Sequence, residues 1–383
     1  MKKLFLAVAL AACIQQAGAV ELKAGDWTVS IGGIVNAYYT TVSCGGDEVG
    51  GLALAGTALG CGGEDRRTTV GNGLLPNALL TTVSSQQGGY DVAATIGIYA
   101  ATATDSAISQ NSEVDVRQAF FTFGTPTLGT VKLGRDYGLF GHLAILGDMT
   151  LIGAGAPVQA TQRGRVTLGH LGAGYAWPGI YGQIAYTTPK NASGITVDIG
   201  VMSPVSDTPV VAGPRYSTRS SPQVQGRVQF ERGEFKGWVS AKGQHFESIT
   251  EGVDDLNMHA VEVGVSWESG PIGLFANVQG GKALGILSDA DQGDTRSKSY
   301  FVQGTYKVTD ALKLGLNYGR SKNDDDTVGA AGLKSNANVT LGAYYALNSV
   351  ITLVAEVGQT RSKDFFGNTA HLNGGSVGGI IFF

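Results

Sequence analysis

The sequence predicts an all-β fold: a transmembrane antiparallel β-barrel of sixteen strands with a long third loop. Three observations lead there. Apolar residues recur at every second position along many segments of the chain. No apolar run after the N-terminal leader approaches the roughly 20 residues that a membrane helix needs, so a bilayer-spanning chain must cross as strands. Connections alternate between tight turns and longer polar loops, the asymmetry of an outer-membrane barrel.

The N-terminus sets the compartment. Met1-Lys2-Lys3 is a cationic start, Leu4 to Ile14 is apolar, and Ala17-Gly18-Ala19 is a small-residue cleavage site. Residues 1–19 therefore read as a signal peptide and residues 20–383 as the mature barrel. A competing signal is Leu10-Ala11-Ala12-Cys13, which resembles a lipoprotein box, but its apolar run is short and a good A-x-A site follows. Without Lys2 and Lys3 the chain carries 25 basic and 31 acidic residues, a formal charge of −6. Nothing in that balance calls for a nucleic-acid partner.

Charged residues make up 15% of the chain, against about 25% in ordinary soluble domains, and glycine contributes 58 of 383 positions. Cys44 and Cys61 survive signal removal. In an exported protein two close cysteines form a disulfide, worth roughly 3 kcal/mol in the chain-entropy model. No His or third Cys sits nearby at zinc-ligand spacing, so neither a metal nor a cofactor is expected.

Period-two alternation is clearest in Leu312-Lys313-Leu314-Gly315-Leu316-Asn317-Tyr318. It recurs in Val261, Val263, Val265 and Trp267 against Glu262, Gly264, Ser266 and Glu268, and again around residues 195–201 and 351–358. A soluble sandwich also alternates. Here, however, the intervening positions are often Gly, Asn, Gln or Ser, which suits a wet interior. In order, strands are expected near 27–41, 74–87, 89–102, 113–124, 129–137, 180–189, 195–204, 222–231, 235–246, 257–268, 272–283, 298–308, 312–322, 336–347, 350–362 and 374–383. The count is even and puts both termini on the short-turn side. Residues 138–179 are left as one long, Gly-rich connection, a length usually reserved for function or disorder.

At this point the chain resembles the trimeric, sixteen-stranded general porins of the Gram-negative outer membrane. The resemblance is carried by "DVRQAFFTFGTPTLGTVKLGRDYG" (Asp115 to Gly138), by "SIGGIVNAYY" (Ser30 to Tyr39) and by the terminal Phe383. It implies that residues 138–179 fold into the barrel and narrow it. The ionisable residues of that loop are His142, Asp148, Arg163, Arg165 and His170, with neither Glu nor Lys. The resemblance also places Arg117 and Arg135 on the facing wall, with Asp136 next to Arg135 at the constriction. Alternation alone adds Lys132, Arg227 and Lys313, with Asp115, Glu262 and Glu356, to the lumen wall. The resemblance further implies a homotrimer in which the loop from Thr104 to Glu113 reaches a neighbour, contact with outer-membrane lipid and lipopolysaccharide, and a terminal Phe383 read by the assembly machinery.

The expected function is passive diffusion of small hydrophilic solutes and ions, with an anion preference because arginines outnumber carboxylates in the loop. The bland alternative is that these arginines only pair with Asp136, Asp148 or wall carboxylates. Two further alternatives are a substrate-selective anion or phosphate channel and a closed adhesin or structural barrel. Catalysis has one motif-grade candidate, Ser376 in "GGSVGGIIFF", and a nucleophile elbow there would need a helix that five residues cannot supply. His142, His170, His245, His259 and His371 are scattered. Asp289, Asp291 and Asp294, like Asp324 to Asp326, resemble incomplete calcium loops and read as solvated loop charge.

Overall fold

The protein is described by a computed structural model covering residues 19–102, 114–155, 167–204, 216–217, 220–326 and 331–383. Residues 1–18, which hold Cys13 and nearly all of the expected signal peptide, the stretch from Thr104 to Glu113, and Arg163 and Arg165 lie outside the described residues. The first strands are β1 (Val20–Ala24), β2 (Trp27–Gly46), β3 (Arg66–Gly71), β4 (Asn77–Gln87), β5 (Tyr90–Ala100), β6 (Asp115–Thr125) and β7 (Gly129–Tyr137). After the third connection come β8 (Ile180–Thr187), β9 (Ile195–Met202), β10 (Tyr216–Ser217), β11 (Gln223–Arg232), β12 (Phe235–Ser248) and β13 (Leu256–Ser269). The chain finishes with β14 (Ile272–Lys282), β15 (Arg296–Lys307), β16 (Leu312–Asn323), β17 (Leu333–Ala346), β18 (Ile351–Asp364) and β19 (Thr369–Phe382). Two short helices, α1 (Thr57–Gly60) and α2 (His142–Gly147), lie in connections.

Sixteen of these strands close a ring. β2 pairs with β4, each strand then pairs antiparallel with the next through β9, β9 pairs with β11, and the meander continues to β19, which returns to β2. Closure leaves no open edge, which hydrocarbon would not tolerate. The three remaining strands are accessories. β3 pairs with Tyr38 to Ser43 of β2 while β4 pairs with Thr28 to Ile34, so β3 and β4 are two pieces of one interrupted wall strand. β1 pairs with Trp27 to Ile31, beyond the point where Phe382 pairs with Ile34, and therefore prolongs β19 along the same edge of β2. Two-residue β10 pairs with the end of β12.

Alternation sorts the faces. In β13, Val261, Val263 and Val265 are exposed while Ala260, Glu262 and Gly264 are buried. A belt of exposed Val, Leu and Ile continues around the ring, far larger than the apolar patch a soluble monomer presents. Exposed Phe235, Trp267, Tyr306 and Tyr345 stand next to short turns, forming part of an aromatic girdle at that rim.

The inner face departs from a uniformly wet wall. Ile34, Leu80, Trp238, Phe275 and Phe301 of the wall pack with Leu143, Ile145, Leu151 and Tyr175 of the third connection in one buried cluster. A second cluster joins Leu52 and Ala55 of residues 47–65 and Ile286 of residues 283–295 to Leu333 and Leu372 of the wall. Cys44 and Cys61 are joined as a disulfide across a 17-residue separation, fixing residues 47–65 to the end of β2.

Candidate functional site

The third connection is rich in apolar residues, and its described parts, 138–155 and 167–179, are largely buried against the inner wall. Buried N–H groups need partners, and side chains of the wall supply them. Gln225 Oε1 accepts from Leu139 N at 2.7 Å and Phe140 N at 3.0 Å. Glu262 Oε2 accepts from Gly141 N at 3.0 Å, Gln279 Oε1 from Ala176 N at 2.8 Å, and Ser321 Oγ from Gly174 N at 3.0 Å. Gln303 accepts from Met149 N and donates to the carbonyl of Gly147. Glu356 Oε2 accepts from Ala154 N and Gly155 N at 2.9 and 2.8 Å, and Tyr344 Oη donates to its other oxygen at 2.7 Å. Position 153 must be glycine there, because a Cβ would sit 2.0 Å from the Glu356 carboxylate.

Within the connection, Asp148 ties the two ends together. Its Oδ1 accepts from Thr150 N and Oγ1, and its Oδ2 accepts from Tyr175 Oη at 2.6 Å and faces His170 Nδ1 at 3.3 Å. Burial alone would raise this carboxyl, but the charge of His170 and the converging donors hold it below the usual carboxylate range. His142 stacks on Tyr137 with ring centroids 5.8 Å apart. Desolvation, reinforced by the nearby Arg227 charge, lowers its pKa to about 3, so it stays neutral at physiological pH.

Opposite the connection, the wall carries three cation–carboxylate pairs. Arg117 Nε binds Asp115 at 2.9 Å and lies over the Tyr99 ring. Pairing steps from Ile98–Val116 directly to Gly97–Gln118, so Arg117 is the extra residue of a bulge, a device that re-aims a side chain. Lys132 Nζ binds Asp136 at 2.5 Å, and Gln118 Nε2 donates to the other Asp136 oxygen. Arg227 Nε binds Asp198 at 2.9 Å and its Nη1 reaches the carbonyl of Leu139, linking wall to loop. Lys132 is 18% exposed against 6% for Asp136, and Arg227 10% against 5% for Asp198. In those two pairs the cation is the more accessible partner; in Arg117–Asp115 the order is reversed.

Several expected positions change meaning. Arg135 shares the outer face with Val131 and Leu133, is exposed, and donates to the carbonyl of Val116. It therefore does not join Lys132 and Asp136, which lie three residues and one residue away, respectively, on the opposite parity. Glu262 and Glu356 face inward as alternation requires, but both are buried and engaged by the loop rather than open to solvent. Lys313 also faces inward, over the Tyr344 ring. His170 is wholly buried with Asp148. Asp289 and Asp291 are not solvated charge: Asp289 pairs with buried Lys242, and Asp291 accepts the backbone N–H groups of Ile286, Leu287 and Ser288. Asp294 pairs with Lys282, and Asp324 with Lys298 and Lys322. Among the described residues no cluster of three His, Cys, Asp or Glu is placed to hold a metal. Ser376 lies in the middle of β19, opposite Glu356 and Thr40, with no helix after it. His245, His259 and His371 sit on separate strands, and His259 faces outward beside Val261.

Sequence reasoning missed the loop's acceptors Gln225, Gln279, Gln303 and Ser321, and the buried Lys242–Asp289 pair. Parity does put Gln225 on the same face as Arg227. What it does not contain is the loop segment that each acceptor meets.

A closed sixteen-stranded antiparallel barrel, apolar outside and polar within, is the architecture of an outer-membrane channel. The chain matches the Gram-negative porin family over residues 5–364, and it belongs to that family, whose members are channels rather than enzymes. Among functionally curated proteins none matches it. Among solved structures it is similar to the outer membrane channel DcaP of Acinetobacter baumannii, at 17% identity and a TM-score of 0.70, over 94% of this chain and 99% of that one. It is similar to the anion-selective porin from Comamonas acidovorans, at 18% identity and a TM-score of 0.64, over 93% of this chain and 100% of that one. It is also similar to in-vitro folded OmpT, an outer membrane protein of Vibrio cholerae, in its trimer form, at 12% identity and a TM-score of 0.54, over 93% and 99% of the two chains.

Proposed function

We propose that this outer-membrane porin passes small hydrophilic solutes and ions by diffusion and prefers anions. The observation that carries the preference is the fate of the inner carboxylates. Glu262 and Glu356 are consumed by the loop backbone, and Asp136 and Asp198 are more deeply buried than Lys132 and Arg227. Lys236 and Lys313 face inward with no ion pair or hydrogen bond among the described residues. Fixed cations lining a narrow, low-dielectric passage concentrate anions and repel cations. Residues 138–179 form the constriction, with Arg117, Lys132 and Arg227 on the wall facing it, and Arg163 and Arg165 add to the same positive sign. The anion-selective porin among the similar folds agrees with this polarity.

The mature protein begins at Val20 after export, and it works as a homotrimer embedded in lipid and lipopolysaccharide, as the trimer form of OmpT suggests. Single-channel recording tests the reading. Open, ohmic conductance is expected for wild type, and Lys132→Gln with Arg227→Gln should reduce the chloride-to-potassium permeability ratio. A non-conducting protein would favour a closed structural barrel. The buried apolar clusters inside the ring favour one refinement, a narrow, substrate-selective anion channel rather than a wide general pore.

A further inference from the structure

Beneath the third connection, on the short-turn side of the barrel, lies a cavity of about 380 Å³. That is within the roughly 300–1,000 Å³ range of small-molecule sites. Its roof is loop and mostly apolar, with Leu143, Leu146, Met149, Leu151 and Ile152 around the single carboxylate of Asp148. Its floor is wall, where Trp238 and Phe275 pack with ring centroids 5.5 Å apart. The indole lies flat across Gly264, where a Cβ would come within 1.9 Å of the ring, so the wall is shaped to admit it. Trp238 is almost fully buried, yet its Nε1 has no hydrogen-bond partner among the described residues. A buried, unpaired donor of this kind is unusual in a finished structure.

The charged rim is unequal. Lys236 on β12 and Lys313 on β16 line the cavity from opposite ends and are free of ion pairs and hydrogen bonds among the described residues. Lys313 lies over the face of Tyr344 and within the field of Glu268, and Lys236 within that of Glu231. Two carboxylates line the same space: Asp148, already engaged by Thr150, Tyr175 and His170, and Glu268, which is solvent-exposed. Two ammonium groups outside any ion pair, over a mostly apolar, aromatic bed, suit a ligand with an anionic head and a hydrophobic body. We propose that this cavity is a binding subsite for small amphipathic carboxylates, aromatic or medium-chain aliphatic, on the passage through the barrel.

The inference rests on the channel reading and deepens it by naming a solute class. The apolar body replaces water against Leu146, Met149 and Trp238, and the carboxylate takes a lysine. A purely inorganic anion would gain the lysines alone. A neutral aromatic would gain only the bed.

The test uses full-length protein in a planar bilayer carrying a chloride current, to which acetate, benzoate or benzamide is added. Benzoate should block at a concentration about tenfold lower than acetate or benzamide, a difference of one decade in affinity. Lys236→Gln combined with Lys313→Gln should abolish the advantage of benzoate over benzamide, and Leu146→Gln should reduce that of benzoate over acetate. Heat-dependent gel migration checks that each variant is folded. Equal block by benzoate and acetate in wild type, or an unchanged benzoate advantage in the folded double variant, overturns the site. If no chloride current is seen, the channel reading fails instead, and calorimetric benzoate binding to the detergent-solubilised protein then decides the site. There, saturable binding weakened in the double variant supports it, and no binding overturns it.

Discussion

Asp148 shows how much one residue of the third connection is asked to hold. Its carboxylate serves Thr150, Tyr175 and His170 at once, all out of contact with solvent. Asp148→Ala should cost about 3–5 kcal/mol, the range for removing one partner of a buried charged pair, read by denaturant unfolding in detergent. Because the folded carboxyl is held below its unfolded value, its contribution is complete above pH 4 or so and lost as pH falls through the lower folded value. Acid should therefore loosen the loop in wild type, and Asp148→Ala should flatten that part of the pH profile. His142 behaves oppositely. With its pKa near 3 it carries no proton between pH 5 and 8, so His142→Gln should leave the pH dependence of conductance unchanged over that interval. A conductance step near pH 6.5 in wild type that His142→Gln removes would show the imidazole to be titrating normally.

At the scale of elements, the loops are fixed to the wall by side chains that read as generic polar filler. Glu356→Ala would orphan the N–H groups of Ala154 and Gly155 and the hydroxyl of Tyr344. Each buried unpaired group costs about 1–3 kcal/mol, so the loop should loosen, seen as faster protease cleavage within residues 150–160 and noisier single-channel currents. The Cys44–Cys61 bridge closes a short loop whose Leu52 and Ala55 pack inside the barrel mouth. Cys44→Ser with Cys61→Ser should lose about 3 kcal/mol of stability, measured against the oxidised protein. Strand positions were legible because every wall strand alternates; Gly129–Tyr137, for example, falls on its expected span. β3 was not, since Arg66-Arg67-Thr68-Thr69 has no apolar face to announce it. The resemblance places Arg135 inward, although its own parity, shared with Val131 and Leu133, points outward. The inner acceptors were illegible for a different reason. Which wall residue a loop N–H meets depends on contacts over separations of 85 to 202 residues, and periodicity has no reach of that kind.

For the whole molecule, closure depends on the chain ends. β19 meets β2, Phe383 exchanges backbone hydrogen bonds with Gly33, and its ring is exposed at the rim. A Cβ at position 33 would strike that ring, so the glycine makes room for the terminal residue. Deleting Phe383 should lower the yield of heat-modifiable, membrane-inserted barrel. Normal insertion without it would assign the assembly signal elsewhere. The filled interior changes the picture that strand pattern alone provides, from a wide polar tube to a ring whose loops pack against its inner wall. The most direct measurement is the zero-current potential of the wild-type channel in a tenfold potassium chloride gradient. A potential of the sign set by chloride is the predicted result, and one set by potassium would contradict the account.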